Sequence, residues 1–479
     1  MKILMVASEA APFAKTGGLA DVTGSLPQAL LDMGHQVVLV LPGYRQIDPS
    51  QKPVQPLPVP MGSGRCQAGY KRIQKGSLQV YLVMSAKHFD RAALYGEQGH
   101  DYPDNAERFA LLSRAALELA REVNFAPDVV HVHDWQTSLV PVFMDTYYKT
   151  DPFFAKTRTL LTIHNLGYPG IFPWSALNQV GLDSHFRKQD HLEYFGQISL
   201  LKGGIVFADR LNTVSPTYCR EIQTPEFGMG FDGLLRTRAK TLHGILNGID
   251  PHVWNPSRDK ALPKAYSANH QAGKRLCKQA LQTELGLAID PKRPVLAMIT
   301  RLDPQKGIEL VLESWDRLMN KGVQLVILGS GRPDYERRLT EAAAFYPGQA
   351  KVIVGFDDAL SRRIYAGSDV FLMPSRYEPC GLGQLIAMRY GSVPVGQGTG
   401  GLADTIIDPA EQPGRANGYL FHDHRRSALL HAVDRALSDY GNPVTWQAMR
   451  SRGMQQDFSW TRTAKDYVKL YRDSREGIQ

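Results

Sequence analysis

The chain has 479 residues, 43% of them hydrophobic, and Lys plus Arg exceed Asp plus Glu by 55 − 47 = 8. That length exceeds one ordinary core and predicts two large domains or three small ones, and the apolar content excludes a disordered chain. The cationic excess is scattered, with no block of five like charges; this argues against a nucleic-acid partner and suits phosphorylated small substrates.

Four cysteines, Cys66, Cys219, Cys277 and Cys380, lie far apart with no CxxC pair. This predicts a reducing compartment and neither a disulfide framework nor a zinc site. The first residues run into a strand pattern rather than a leader, and no apolar run approaches the roughly 18 residues that span a bilayer. A cytoplasmic protein with no membrane partner is expected.

Along the first half, short apolar runs predict strands at Ile3–Ala7, Gln36–Leu41, Gln79–Met84, Val129–Val132, Thr159–Ile163 and Leu211–Val214. The second half repeats the rhythm at Val295–Thr300, Gln324–Leu328, Lys351–Val354, Val370–Met373 and Val393–Val395. Continuous apolar strands alternating with helical patterns predict parallel sheets covered on both faces. The fold class expected is α/β, with two doubly wound Rossmann-like domains. The boundary is placed at Asn247–Asp250, giving domains 1–246 and 247–460 and a last helix within 461–479. Pro49, Pro53, Pro56, Pro58 and Pro60 predict an extended loop, and the segment from about Ser85 to Asn105 a functional one.

TGGLAD occurs twice, at Thr16–Asp21 and Thr399–Asp404, each time where a loop feeds a helix. Paired glycines there let a backbone approach a ligand, and free N–H groups attract phosphate or hydroxyl oxygens. The two copies predict two sites facing each other, with Gly18 and Gly401 turned toward ligands rather than the core. In open α/β sheets ligands bind beyond the carboxyl ends of strands. The residues ending the predicted strands there are Ser8, Glu9, His131, His133, Asp134, His164, Asn165, Arg301, Ser375, Arg376 and Glu378.

In TRLDPQKG, Thr300–Gly307, Arg301 leaves a strand and Lys306 enters a helix. Two cations at a helix start make a cradle for a diphosphate; the alternative is a surface Arg and Lys beside an ordinary turn. In EPCGLGQL, Glu378–Leu385, Glu378 is placed to accept from sugar hydroxyls, or else serves as an N-terminal helix acid. Gly381 and Gly383 expose N–H groups. HVHDW, His131–Trp135, sets two histidines on one face of a strand, but the further ligands of a metal site do not follow. The reading preferred is a buried His131 and a His133–Asp134 pair, with no metal. His164 reads either as a core histidine or, beside Asn165, as a functional one.

KTGGLADV, HDWQ, TIHNLGYPGIF, TVSPTY, NGID, TRLDPQKG, EPCGL and TGGLADT occur in that order, and together they resemble bacterial glycogen synthases and plant starch synthases from Ile3 to about Tyr471. The resemblance implies the GT-B fold, with two domains facing across a cleft and the last helix crossing back to the first. It implies retaining transfer of glucose from ADP-glucose to the non-reducing end of an α-1,4-glucan, with UDP-glucose as the alternative donor and no cofactor. It puts Arg301 and Lys306 on the donor diphosphate, Glu378 on the donor sugar, and His164 near the glucose 6-hydroxyl and the reacting carbon. Lys15, Gly17, Gly18, Tyr95, Asp134, Asn165 and Asn247 fall on the sugar and acceptor side. Gly381 and Leu382 fall on backbone phosphate donors, and Thr399, Gly400 and Gly401 lie in the second glycine loop on the donor side. Three positions depart from the family pattern: Gly383 stands for Thr or Ser, Gln397 for Arg, and Phe356, placed to stack on the base, for Tyr. They bear on donor affinity and on the choice of nucleotide.

Other readings weighed are an α-glucan phosphorylase, which needs a pyridoxal-phosphate lysine and a longer chain, a catalytically silent glucan-binding scaffold, and a metallohydrolase built on His131, His133 and Asp134.

Overall fold

The structure, a computed structural model, describes residues 1–47, 54–62, 64–97 and 99–476. Pro49 and Pro53 of the expected loop lie outside the described residues. Two compact units result: Met1–Asn247 with Trp460–Gln479, and Gly248–Ser459.

The main sheet of the first unit is built from β1 (Lys2–Val6), β2 (Gln36–Pro42), β3 (Gln55–Met61), β4 (Gly64–Lys75), β5 (Leu78–Met84), β6 (Val129–His133), β7 (Arg158–Ile163), β8 (Arg210–Thr213) and β9 (Leu242–Gly244). They form one sheet in the order β9-β8-β7-β6-β1-β2-β5-β4-β3. Pairing is parallel from β9 to β5 and antiparallel from β5 to β3. Strand order reverses at β1 and β6, so their carboxyl ends open the crevice where such sheets bind ligands.

Pro56, Pro58 and Pro60 correct the loop expectation. They lie in β3, the edge strand, paired with β4 from Gln55 to Met61. Prolines at alternate positions all put their missing N–H on one side of a strand, and an edge strand has one side that needs no donors.

The second unit holds β10 (Val295–Ile299), β11 (Gln324–Gly329), β12 (Ala350–Val354), β13 (Val370–Met373), β14 (Val393–Gln397) and β15 (Tyr419–Phe421), all parallel, in the order β12-β11-β10-β13-β14-β15. Side chains alternate between two cores. Leu296, Met298, Leu325, Ile327, Val370 and Leu372 pack on one face, and Val295, Ala297, Val326, Leu328 and Phe371 on the other. Burial on both faces is why these strands read as unbroken apolar runs. Strand order reverses at β10 and β13, which aims the loops after Ile299 and Met373 into one crevice.

The helix Trp460–Glu476 belongs to the first unit, where it packs on the helix Gly18–Asp32. Among the described residues no helix is long and apolar enough to cross a membrane.

Candidate active site

In the second unit, the loop after β10 makes a 3₁₀ turn, Pro304–Lys306, capped by the Asp303 carboxylate, which accepts from the Lys306 backbone N–H at 3.2 Å. Gly307 then takes φ +70° and starts the helix Ile308–Met319. A Cβ at Gly307 would stand 1.9 Å from the Pro374 carbonyl oxygen, so this glycine lets the loops after β10 and β13 touch. That approach brings the Lys306 ammonium within 2.7 Å of Glu378 Oε2, which also accepts from Ser375 Oγ at 2.9 Å. Glu378 is 5% exposed. Its partner is therefore Lys306, and the reading of it as a helix-terminal acid is set aside.

Arg301 is more accessible, with its side chain 48% exposed. It contacts Asp303 at 3.1 Å and Gln305 at 3.2 Å, and Gln305 in turn donates to the Tyr377 carbonyl at 3.2 Å. Gln305 thus links the arginine's own loop to the loop after β13. Gly381 takes φ +72° just before the helix Gly383–Arg389, whose N-cap is Leu382. Phe356 follows β12 and is 76% exposed, so it can offer a ring face.

The second glycine loop needs a correction. A Cβ on Gly400 would lie 1.9 Å from the Glu378 carbonyl oxygen, and one on Gly401 2.0 Å from that of Cys380. The Gly401 N–H already donates to the Glu378 carbonyl, at 3.1 Å. Gly401 therefore faces protein backbone, not ligand. It holds the Thr399 loop against the segment that carries Glu378, because only hydrogen fits between the two chains. Gln397, where the resemblance expects Arg, is paired with His424 Nδ1 at 2.5 Å.

In the first unit, β1 leads into Ser8 and Glu9. The Glu9 carboxylate, 3% exposed, accepts from the Thr16 backbone N–H, from Thr16 Oγ1 at 2.7 Å and from the Tyr95 hydroxyl at 2.5 Å. Tyr95 also meets Ser8 Oγ at 2.8 Å. Burial and the adjacent carboxylate raise the Tyr95 pKa well above the ordinary phenol value, so it stays a donor. Glu9 thereby ties the first glycine loop to the loop that carries Tyr95. No spacing in the sequence marks it; only its place at the end of a strand does. Lys15 pairs with Asp21 at 2.6 Å. Gly17 caps the helix with open space where a Cβ would stand, and Gly18 is its first residue.

At the end of β6, Asp134 takes φ +53° and its Oδ1 accepts from the His164 backbone N–H at 2.7 Å. Burial raises its pKa to about 7, against the lowering effect of the His164 and Asn165 amides. The expected His133–Asp134 pair is not formed: His133 Nδ1 instead meets His164 Nε2 at 3.0 Å. The physical reason is the turn at Asp134, which aims its carboxylate at the backbone after β7. Burial lowers the His164 pKa to about 3 and that of His133 far below the ordinary imidazole value, so both rings are neutral. His131 is bound at both nitrogens, to Tyr471 at 2.8 Å and Thr162 at 2.6 Å, which leaves neither free for a metal. Asn165 Oδ1 accepts from the Gly167 N–H at 2.9 Å. Asn247 is buried, and its Oδ1 has no hydrogen-bond partner among the described residues.

The structure thus gathers Arg301, Lys306, Glu378, Gly381 and Leu382 at one strand reversal, and Lys15, Gly17, Gly18, Tyr95, Asp134, His164 and Asn165 around the other. Glu9, Ser375 and Gln305 complete these groups.

Residues 2–237 match the family model of the starch synthase catalytic domain, and residues 284–452 that of glycosyl transferases group 1. The chain is 51% identical to a glycogen synthase of Syntrophotalea carbinolica, covering 99% of each chain, and 46% identical to glycogen synthase 2 of Geobacter sulfurreducens, covering 100% of each. A solved structure of the catalytic domain of starch synthase IV from Arabidopsis thaliana, bound to ADP and acarbose, is similar at TM-score 0.91 and 35% identity over 99% of both chains. Sucrose-phosphate synthase from Thermosynechococcus elongatus shares the fold at TM-score 0.63 and 18% identity over 99% of both chains. Two α/β units, one on a mixed and one on a parallel sheet, each with its polar residues at a strand reversal, together with these matches define a glycosyltransferase of GT-B architecture. Its family is equally plain: the chain belongs to the glycogen synthases and starch synthases.

Proposed function

We propose that the protein elongates an α-1,4-glucan by transferring glucose from ADP-glucose to its non-reducing end with retention of configuration, in the cytoplasm and without a metal or other cofactor. The observation that carries this is the buried Lys306–Glu378 pair at 2.7 Å, with Arg301 beside it at the reversal of the second sheet.

In this reaction negative charge grows on the departing diphosphate and positive charge on the sugar. Arg301 and Lys306 are preorganised cations for the first, and amides around Gly381 and Leu382 add dipoles; such fixed groups stabilise a transition state without reorganising. Glu378 binds sugar hydroxyls and offsets the second charge. Phe356 stacks on the base. From the first unit, His164, Asn165 and Asp134 take the sugar and the acceptor, and Lys15, Gly17 and Gly18 the donor, with Tyr95 and Asn247 supporting them. Retention follows from same-face attack assisted by the leaving phosphate.

The test is transfer from ADP-glucose and UDP-glucose, side by side, onto glycogen and short maltodextrins. Faster incorporation from ADP-glucose into the glucan is expected. No incorporation from either donor, or free glucose as the main product, would overturn the proposal.

A further inference from the structure

We propose that Tyr471, on the C-terminal helix, is a positioning residue that locks the ring of His131 and through it the hydrogen-bonded His133–His164 pair. The inference rests on the proposed role of His164 at the transferred sugar.

A chain of buried hydrogen bonds runs through this region, and the direction of each can be assigned. Asn212 Nδ2 faces the Tyr467 hydroxyl at 3.3 Å and the Thr213 carbonyl at 3.5 Å, so Asn212 Oδ1 faces Thr162. A carboxamide oxygen only accepts, so the Thr162 hydroxyl donates to it, at 2.5 Å. With its proton committed there, Thr162 Oγ1 must accept from His131 Nε2, 2.6 Å away. His131 is therefore the Nε2–H tautomer, and its bare Nδ1 accepts from the Tyr471 hydroxyl at 2.8 Å. Burial holds the ring neutral, its pKa lowered to about 3. All five residues are buried. Tyr467 and Tyr471, one helical turn apart, grip the two ends of this chain.

His133 depends on that arrangement. Its ring lies against His131 with centroids 4.2 Å apart. Its Nδ1 meets His164 Nε2 at 3.0 Å, and its Nε2 is buried with no partner among the described residues. The His133 ring is thus set between the rings of His131 and His164, with centroids 4.2 and 5.2 Å away, and by its one hydrogen bond to His164. If His131 turns, no other hydrogen bond among the described residues holds the His133 ring, and His164 loses the fixed partner that orients its own.

The experiment is a double-mutant cycle in the full chain. Tyr471→Phe removes one hydroxyl and keeps the ring's packing. Its kcat is expected to fall about tenfold, with KM for ADP-glucose within about twofold of wild type. In the His164→Ala background the same change should leave kcat unaltered, because its effect travels through His164. Thr162→Val should behave as Tyr471→Phe, and Thr162→Ser should retain activity. Nitrogen NMR of wild type should show His131 as the Nε2–H tautomer.

An Nδ1–H tautomer at His131, an unchanged kcat in Tyr471→Phe, or equal losses in both backgrounds would overturn the inference. If Tyr471→Phe fails to fold, the Thr162→Val and Thr162→Ser pair reads the same link to His164, and the tautomer measurement, which needs no variant, can still overturn the inference. If His164→Ala itself turned over normally, the role of His164 would fall instead, and the tautomer result would still stand apart from it.

Discussion

Lys306 and Glu378 are 72 residues apart in sequence, yet the ammonium of one lies 2.7 Å from the carboxylate of the other, with side chains 16% and 6% exposed. A pair so nearly removed from water is costly to break from one side, since the remaining charge is left buried without its partner; the usual loss is about 3–5 kcal/mol. Arg301 differs. Its side chain is 48% exposed, and its contacts to Asp303 and Gln305 lie within its own loop.

The two cations should therefore separate on mutation. Lys306→Ala should lose about 10²–10³ in kcat and melt several degrees lower. Arg301→Ala should lose a comparable share of rate while melting near the wild-type temperature. Parallel thermal melts and transfer assays check this; turnover near normal in either variant would remove that residue from the mechanism.

The glycine loops should also separate. Gly401→Val forces a side chain toward the Cys380 carbonyl, 2.0 Å from an ideal Cβ, and backbone cannot retreat as a side chain can. Loss of the soluble folded protein, or a large drop in Tm, is expected. Gly17→Ala meets open space and should melt normally while activity falls, because the added methyl stands where the first loop is proposed to approach the donor. Circular dichroism melts of both variants, read beside activity, decide the matter; a normal melt for Gly401→Val would contradict the backbone contact.

These two loops also show what the sequence could say. TGGLAD reads identically in both copies, and a Gly-Gly pair signals close approach without saying to what. In one copy the neighbour is open space, in the other a carbonyl supplied by the Glu378 segment. The parallel strands were legible because apolar residues such as Val295–Ile299 are buried on both faces. β3 was not, because three prolines argue against a strand until its place at the edge is known. Arg301, Lys306 and Glu378 were legible as polar residues following strands. Glu9 and Tyr471 act through partners 86 and 340 residues away, and no local pattern marks such contacts.

Activity should survive removal of divalent metal. In the proposed reaction the positive charge facing the diphosphate comes from Arg301 and Lys306, and both nitrogens of His131 are committed to Tyr471 and Thr162. Enzyme dialysed against EDTA and assayed without added metal should turn over within about twofold of untreated enzyme. Loss of activity restored by Mg²⁺ or Mn²⁺ would show that a metal carries part of that charge.

Asp134 should give the fold a pH dependence. Its folded pKa is raised to about 7 by burial, whereas an unfolded aspartate titrates near about 3.9. Between those values the folded chain holds a proton that the unfolded chain has released. Stability then falls as pH rises, because the slope follows protons bound unfolded minus protons bound folded, here negative. The penalty is complete above about pH 7 and absent below about pH 4, the two titration points just named. The Asp134→Asn variant has no titrating group at this position, and asparagine tolerates the positive φ of +53° found there. Its amide oxygen also remains able to accept from the His164 N–H. Asp134→Asn should therefore gain on wild type as pH climbs: the difference in Tm between variant and wild type should move in the variant's favour from about pH 5 to pH 8 and level off beyond. Differential scanning calorimetry at half-unit pH steps measures it. A difference that stays flat across that range would mean the folded carboxyl titrates near its ordinary value, and a difference that moves the other way would mean the backbone amides of His164 and Asn165 outweigh burial.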